Sequence, residues 1–309
     1  MFPILLIKGF IIGFSFTIPG CSGGTFAVYL GVFDKMVNAI SSIFKNFKKS
    51  FTYLLPLGIG LILGIVLFSK LMGMALRANS LITIMFFIGM TLGGVPSLIK
   101  NNVKGRTIPK SGAAAAFGAV LFIIAMAAFQ VFAGHNGVDY FALDQWTTYV
   151  ILFFLGVASA MTMIVPGISG SALLLILGYY TAIVSNVAGN LTDISALGYN
   201  VTVMVPFAIG AVVGVIAISK LLENLLRRFP VQSYLAIIGF VIASAIILLL
   251  WIRDPDTAGS FIEQTPVYTH LWQYLSARPW DAVFGIVVLT VGLFGSLQIV
   301  RFGAKNIRA

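Results

Sequence analysis

Charge is scarce in this 309-residue chain: 9% of residues are Asp, Glu, Lys or Arg, against 59% hydrophobic, and the mean hydropathy is +1.03. No soluble domain has interior enough to hide that much apolar surface, which excludes a water-soluble enzyme or binding module. Cysteine occurs once, at Cys21, and histidine only twice. An internal disulfide is therefore excluded, and neither a cysteine–histidine metal centre nor any other cofactor is expected. Acidic residues are outnumbered by basic ones, 9 to 19. On a polar domain that imbalance would point to nucleic acid. Here the basic residues sit in short connections between apolar runs, which reads as membrane orientation with no nucleic-acid partner. The apolar runs continue from Phe2 to Val300, so they are spans rather than a removable signal peptide.

Runs close to the roughly 20 residues that cross hydrocarbon fall at about 52–72, 81–99, 112–133, 203–222, 231–252 and 282–300. Two further apolar regions, 1–40 and 147–188, are each interrupted by a polar, glycine-rich break, TIPGCSGGT from Thr17 to Thr25 and MIVPGISGS from Met163 to Ser171. Their arms are short for full crossings. The reading is an all-α integral membrane protein with six transmembrane helices and two re-entrant helical hairpins; fully spanning arms are the alternative.

The breaks repeat. Pro19, Gly20, Ser22 and Gly23 match Pro166, Gly167, Ser169 and Gly170 at an offset of 147, which also carries Gly9 onto Gly156 and Leu30–Gly31 onto Leu177–Gly178. At an offset of 150, Pro56, Gly60, Gly64, Lys70, Arg77 and Gly89 match Pro206, Gly210, Gly214, Lys220, Arg227 and Gly239. The chain thus divides into a first repeat over 1–133, a connection over 134–146 and a second repeat over 147–309. An odd number of crossings per copy makes the second copy inverted. Lys45, Lys48 and Lys49, then Lys100, Lys104, Arg106 and Lys110, and the tail with Arg301, Lys305 and Arg308 mark the cytoplasmic side, with both termini inside. Asp139, Asp144, Asp254 and Asp256 mark the outside.

Backbone without helical bonds survives at membrane depth only if it is buried in protein or lines a wet cavity, so each break marks an interior site. Pro19 and Pro166 stop the incoming arms. Ser22, Thr25, Ser169 and Ser171 can cap the outgoing ones, whose free amides and positive dipole end favour an anion. The substrate-binding candidates are therefore Pro19, Gly20, Ser22, Gly23, Gly24 and Thr25 with Pro166, Gly167, Ser169, Gly170 and Ser171. Lys70, Arg77, Lys220 and Arg227, which recur in both copies, are candidates for charge compensation. Glu223 reads as a salt-bridge partner of Lys220 or Arg227 or as a proton or ion-coupling site. Asp34 reads as solvated, and His135 and His270 as inert. The bland alternatives are helix kinks at the prolines, packing seams at the glycines and snorkelling at the cations.

The signatures PGCSGGT (Pro19–Thr25) and VPGISGS (Val165–Ser171), followed by LGVF (Leu30–Phe33) and LGYY (Leu177–Tyr180), resemble those of the bacterial and archaeal polyprenyl-phosphate transporter family over nearly the whole chain. The first copy departs by Ile18 and Cys21 from the commoner form. The resemblance implies a translocase of the inner membrane that returns undecaprenyl phosphate, the carrier lipid of cell-wall synthesis, from the outer to the inner leaflet. Its partners would be the lipid and the membrane, and a homo-oligomer is left open. A membrane phosphatase or transferase is the enzyme alternative, but it would want a histidine or paired carboxylates at the break, and neither break has them. A small-anion transporter is the third reading.

Overall fold

The computed structural model describes residues 2–17, 22–132, 141–142, 145–166, 173–174, 177–179, 182–183, 195–257 and 264–305; the side chains of Lys70 and of 129–132 lie outside that description. The described chain is all-helical, and among its residues the one β-type contact pairs Arg253 with Pro266. Twelve α-helices are described: α1 (Phe2–Phe16), α2 (Gly23–Tyr29), α3 (Phe33–Ser41), α4 (Phe47–Ala78), α5 (Ser80–Gly93), α6 (Val95–Asn102), α7 (Lys110–Phe132), α8 (Trp146–Ile164), α9 (Leu197–Arg228), α10 (Pro230–Ile247), α11 (Leu271–Ala277) and α12 (Pro279–Lys305).

Among the described residues seven helices are long and apolar enough to cross a membrane: α4, α5 with α6, α7, α8, α9, α10 with the 3-10 turn that follows it, and α12. The protein is a multi-pass membrane protein. The sequence reading counted six, because it took α8 for the short arm of a hairpin. At 19 residues, and about 1.5 Å per residue, α8 reaches nearly the ~30 Å of a hydrocarbon core. By contrast α1 has only 15 residues. Broad outward faces of α4, α9 and α12, including Val66, Leu67, Ile209, Val212, Ile286 and Phe294, are apolar and exposed. In water such patches would aggregate; against lipid tails they are the solvent-facing surface.

Four helix pairs form the frame, α1 with α4, α8 with α9, α5 with α12 and α7 with α10. In the first two, glycines bring backbones together. A Cβ on Gly9 would strike the carbonyl of Leu57, one on Gly60 that of Leu6, and one on Gly64 that of Phe10. In the other pair, Gly156 faces the carbonyl of Phe207, Gly210 that of Phe153 and Gly214 that of Val157. These are the same contacts carried across by the two offsets. Contact numbers rise together along both helices of each pair, so α1 runs parallel to α4 and α8 parallel to α9. The same holds for α5 and α12, where Gly89 faces Leu289 and Gly93 faces Leu293, and for α7 and α10, where Gly112 meets Leu235 and Gly239 meets Ala116.

The LG dipeptides also have a structural reason. Gly31 and Gly178 both take positive φ, 65° and 79°, a conformation that only glycine adopts freely. After α2 the amide of Val32 bonds the carbonyl of Ala27 at 3.0 Å, and at the matching place Tyr179 bonds Leu174 at 2.9 Å. Both are helix stops in which the residue beyond the left-handed glycine reaches back to a carbonyl otherwise left orphaned.

The main core gathers around the short helices. Phe26, Leu30, Phe33 and Val37 of α2 and α3 pack with Ile84 and Phe87 of α5 and Val241 of α10. Every residue of α2 is buried. A second cluster joins Leu152 and Leu155 of α8 to Val203 of α9, Leu174 and Ile183.

The two ends of the bundle differ in charge. At one end α3, the start of α4, α6, the end of α9, the start of α10 and the end of α12 meet, through Ser42–Ser50 at 3.4 Å, Tyr234–Asp34 at 2.9 Å and a shared cavity of about 330 Å³. That end carries Lys35, Lys48, Lys49, Arg227, Arg228 and Lys305. The other end sets Asp254, Asp256 and Asp281 among Arg77, Arg253 and Arg278. Asn79 donates to Asp281 at 2.7 Å, His270 meets Asp254 at 2.9 Å, and Arg278 pairs with Asp256 at 2.5 Å.

Candidate functional site

The first break delivers its outgoing helix into the centre of the molecule and against the second. Ser22 is the N-cap of α2: its hydroxyl accepts from the Gly24 amide at 3.2 Å and donates to the carbonyl of Val165 at 3.1 Å. A Cβ on Gly24 would lie 2.6 Å from the carbonyl oxygen of Ile164 and 3.1 Å from the nitrogen of Pro166. Only glycine permits that approach. Two segments 143 positions apart are thus joined by a hydrogen bond at the place where α8 stops. It stops because proline disfavours helix in the residue before it: Val165 is extended, with ψ 121°.

Beside this junction Thr25 is 1% exposed, and its hydroxyl has no hydrogen-bond partner among the described residues. An unpaired buried hydroxyl costs about 1–3 kcal/mol, so Thr25 is a donor and acceptor held in reserve. Gly23 packs on the ring of Phe16. Of the other break residues expected to bind, Pro166 is described at the junction. Pro19, Gly20, Gly167, Ser169, Gly170 and Ser171 lie outside the described residues.

The repeated cations stand elsewhere. Arg77 occupies the last turn of α4, Arg227 the last turn of α9, and Lys220 lies about two turns before it; all three are exposed, and none forms an ion pair among the described residues. The side chain of Lys70 is outside the description. Glu223 pairs with neither Lys220 nor Arg227. Its carboxylate accepts from Asn38 Nδ2 at 2.8 Å and from the Ser41 hydroxyl, tying α9 to α3. Asp34, expected to be solvated, is exposed but accepts from the Tyr234 hydroxyl. His270, expected to be inert, bonds Asp254. His135 is outside the described residues.

One polar residue in the interior escaped the sequence reading. Lys8, in the middle of α1, is 2% exposed and donates to the carbonyl of Leu30 at 2.9 Å. A lone lysine in the apolar run from Phe2 to Phe16 was the available signal. No group of three or more His, Cys, Asp or Glu placed to hold a metal occurs among the described residues.

A family model described as undecaprenyl phosphate translocase-like matches residues 12–260. The chain is 32% identical to a polyprenyl-phosphate transporter of Staphylococcus aureus, over 98% of each chain. It is 24% identical to a polyprenyl-phosphate transporter of Vibrio cholerae serotype O1, over 97% of this chain and 96% of the relative. No solved structure matches. With most of its length matched by the family model, and with a relative of 32% identity aligned from end to end, this chain belongs to the undecaprenyl phosphate translocase-like family.

Proposed function

We propose that the protein translocates polyprenyl phosphate, undecaprenyl phosphate in particular, across the cytoplasmic membrane, returning the carrier lipid from the outer to the inner leaflet for cell-wall synthesis. The carrying observation is the junction of the two breaks: Ser22 on Val165, Gly24 against Ile164 and Pro166, and a buried free hydroxyl on Thr25 beside them. A polyprenyl tail can stay in lipid while only its phosphate needs a polar path. Amides and hydroxyls at Ser22–Thr25, with those of Ser169–Ser171, supply that path without a catalytic group. Arg77, Lys220 and Arg227, with Lys70, act at the membrane surfaces, attracting the headgroup rather than meeting it in the break. The names of both relatives favour this reading over a phosphatase or a small-anion carrier.

The mechanism we propose is alternating access by an inverted duplication. Its support is the recurrence of one seam in both halves, Gly9–Leu57 and Gly60–Leu6 against Gly156–Phe207 and Gly210–Phe153, together with the repeated helix stop at Gly31 and Gly178. In this reading each break belongs to a hairpin that turns back. Because α1 and α4 start on the same side, α2 and α3 return the chain to it. The lysine-rich end faces the cytoplasm, with both termini there. Glu223, which ties α3 of one half to α9 of the other, is the proposed proton or ion-coupling group, since its protonation would weaken that tie.

The test is leaflet exchange of labelled undecaprenyl phosphate in liposomes containing the purified protein. Exchange well above protein-free liposomes is expected. Exchange no faster than in empty liposomes, or an equal acceleration of neutral undecaprenol, overturns the proposal.

A further inference from the structure

Lys8 is unusual on physical grounds alone. It carries an ammonium group with three donors into an interior where 2% of the residue is exposed, and among the described residues one acceptor, the Leu30 carbonyl at 2.9 Å, meets it. No carboxylate pairs with it among the described residues. The charged group that acts on it is a second cation, Lys35. A buried charge without a counter-ion is costly, and within membrane segments such residues mark the path of a charged ligand. Orientation of the chain does not explain it, since that role belongs to lysines in connecting loops. The duplication does not explain it either, because its counterpart one offset along is Leu155, an apolar core residue.

Its one partner is informative. Leu30 ends α2 and precedes the left-handed Gly31, so Lys8 clasps the turn through which the buried helix α2 passes into α3. Gly303 of α12 packs against Tyr29 and Leu30 and Gly94 against the Tyr29 ring, while Tyr29 and Gly31 also line the cavity of about 330 Å³.

Resting on the lipid-phosphate reading above, we propose that Lys8 is a substrate-binding residue: its ammonium leaves the Leu30 carbonyl to pair with the phosphomonoester of the lipid. The carbonyl is then a neutral placeholder for the anion. A phosphate oxygen outcompetes it because it adds the attraction of opposite charges to the hydrogen bond, an attraction that a low-dielectric interior strengthens. Capture of the anion would therefore unfasten the α2–α3 turn from α1, which links binding to movement of the hairpin.

The test compares binding of undecaprenyl phosphate and of neutral undecaprenol to the wild-type protein and to Lys8→Gln and Lys8→Arg, all in nanodiscs, with inorganic phosphate as competitor. Glutamine can still donate to Leu30 but carries no charge. Lys8→Gln is expected to keep its melting temperature and its affinity for the alcohol while losing roughly ten- to a hundredfold in affinity for the phosphate, the scale of one hydrogen bond to a charged group. Lys8→Arg is expected to recover most of the loss, and inorganic phosphate to displace the lipid only weakly. If Lys8→Gln binds the phosphate as the wild type does, or weakens both lipids equally, Lys8 is a structural clasp and the inference fails. If the wild type itself does not prefer phosphate to alcohol, it is the lipid-phosphate reading that fails. Should Lys8→Gln not fold, hydrogen exchange of the wild type decides: peptides covering Tyr29–Phe33 are expected to exchange faster on addition of undecaprenyl phosphate, and unchanged exchange overturns the inference.

Discussion

The α1–α4 and α8–α9 seams are built alike and furnished differently. In each, glycines on both helices let backbone touch backbone at corresponding positions, so the frame of one half is the frame of the other. The side chains set on that frame diverge. Where the first half has Lys8, Thr25 and Lys35, the second has Leu155, Ala172 and Ala182. The backbone contacts match, while these three polar side chains of α1, α2 and α3 have apolar counterparts. In the proposed mechanism the two matching seams are the scaffold that moves, and a charged ligand needs only one set of groups to greet it.

The largest effects are expected where the frame itself is broken. Gly60→Ala and Gly210→Ala each drive a methyl group into a backbone carbonyl that cannot step aside. Each is expected to cost about 1–3 kcal/mol or more, the range for overpacking, and the two losses should be similar. Gly58→Ala, with open space around it, is expected to be neutral or to stabilise by up to about 1 kcal/mol through helix propensity. Thermal melting in detergent checks all three. Unequal losses at Gly60 and Gly210 would mean that the halves bear load differently.

Removing the hydroxyls separates structure from transport. Ser22→Ala deletes both the cap of α2 and the link to Val165, and is expected to lower stability by about 1–2 kcal/mol. Thr25→Val deletes a hydroxyl that has no partner among the described residues. Its stability is expected to hold or rise slightly, while leaflet exchange of undecaprenyl phosphate falls about tenfold, as one lost contact to a charged group implies. Unimpaired exchange by Thr25→Val would take that hydroxyl out of the path.

A smaller effect is expected from Glu223→Gln, which keeps an acceptor but loses the charge held by Asn38 and Ser41. Exchange of undecaprenyl phosphate by this variant is expected to be slower than by the wild type, and an unchanged rate would remove Glu223 from coupling.

The smallest lies at the end opposite the lysines. Burial works to raise the Asp254 carboxyl, but its bond with His270 and the Asp256 amide outweigh burial and hold it below the usual carboxylate range. The stability this gives is present above the ordinary value of about 3.9 and is lost as pH falls through the depressed one. Asp254→Asn is expected to flatten the fall in melting temperature on acidification.

Much of this was legible in the sequence because it rests on backbone. Pro166, the paired glycines and the LG stops recur at fixed offsets, and they are the residues that set helix ends and close contacts. Ser22 as a cap was readable for the same reason: the N-cap position selects a short oxygen-bearing side chain. What sequence could not give was which side chains meet across the fold. Glu223 was placed beside cations of its own helix, yet α3 crosses α9 there and offers Asn38 and Ser41 instead. Arg77 and Arg227 recur as faithfully as the breaks, but they end 32-residue helices, so they are carried to the ends of the bundle and away from its centre. Lys8 was missed because it has no counterpart, and a search by repetition passes over a residue found in one copy only. The length of α8 was underestimated because its apolar run flows into the break, with the stop at Val165 set by Pro166.

The central claim is that the two breaks meet around the path of a lipid phosphate. The most direct measurement is photo-crosslinking with a polyprenyl phosphate that carries its reactive group beside the phosphate, followed by peptide mapping. Adducts on Ser22–Thr25 and on Met163–Pro166 are predicted. Adducts confined to the exposed apolar faces of α4, α9 and α12 would contradict the account.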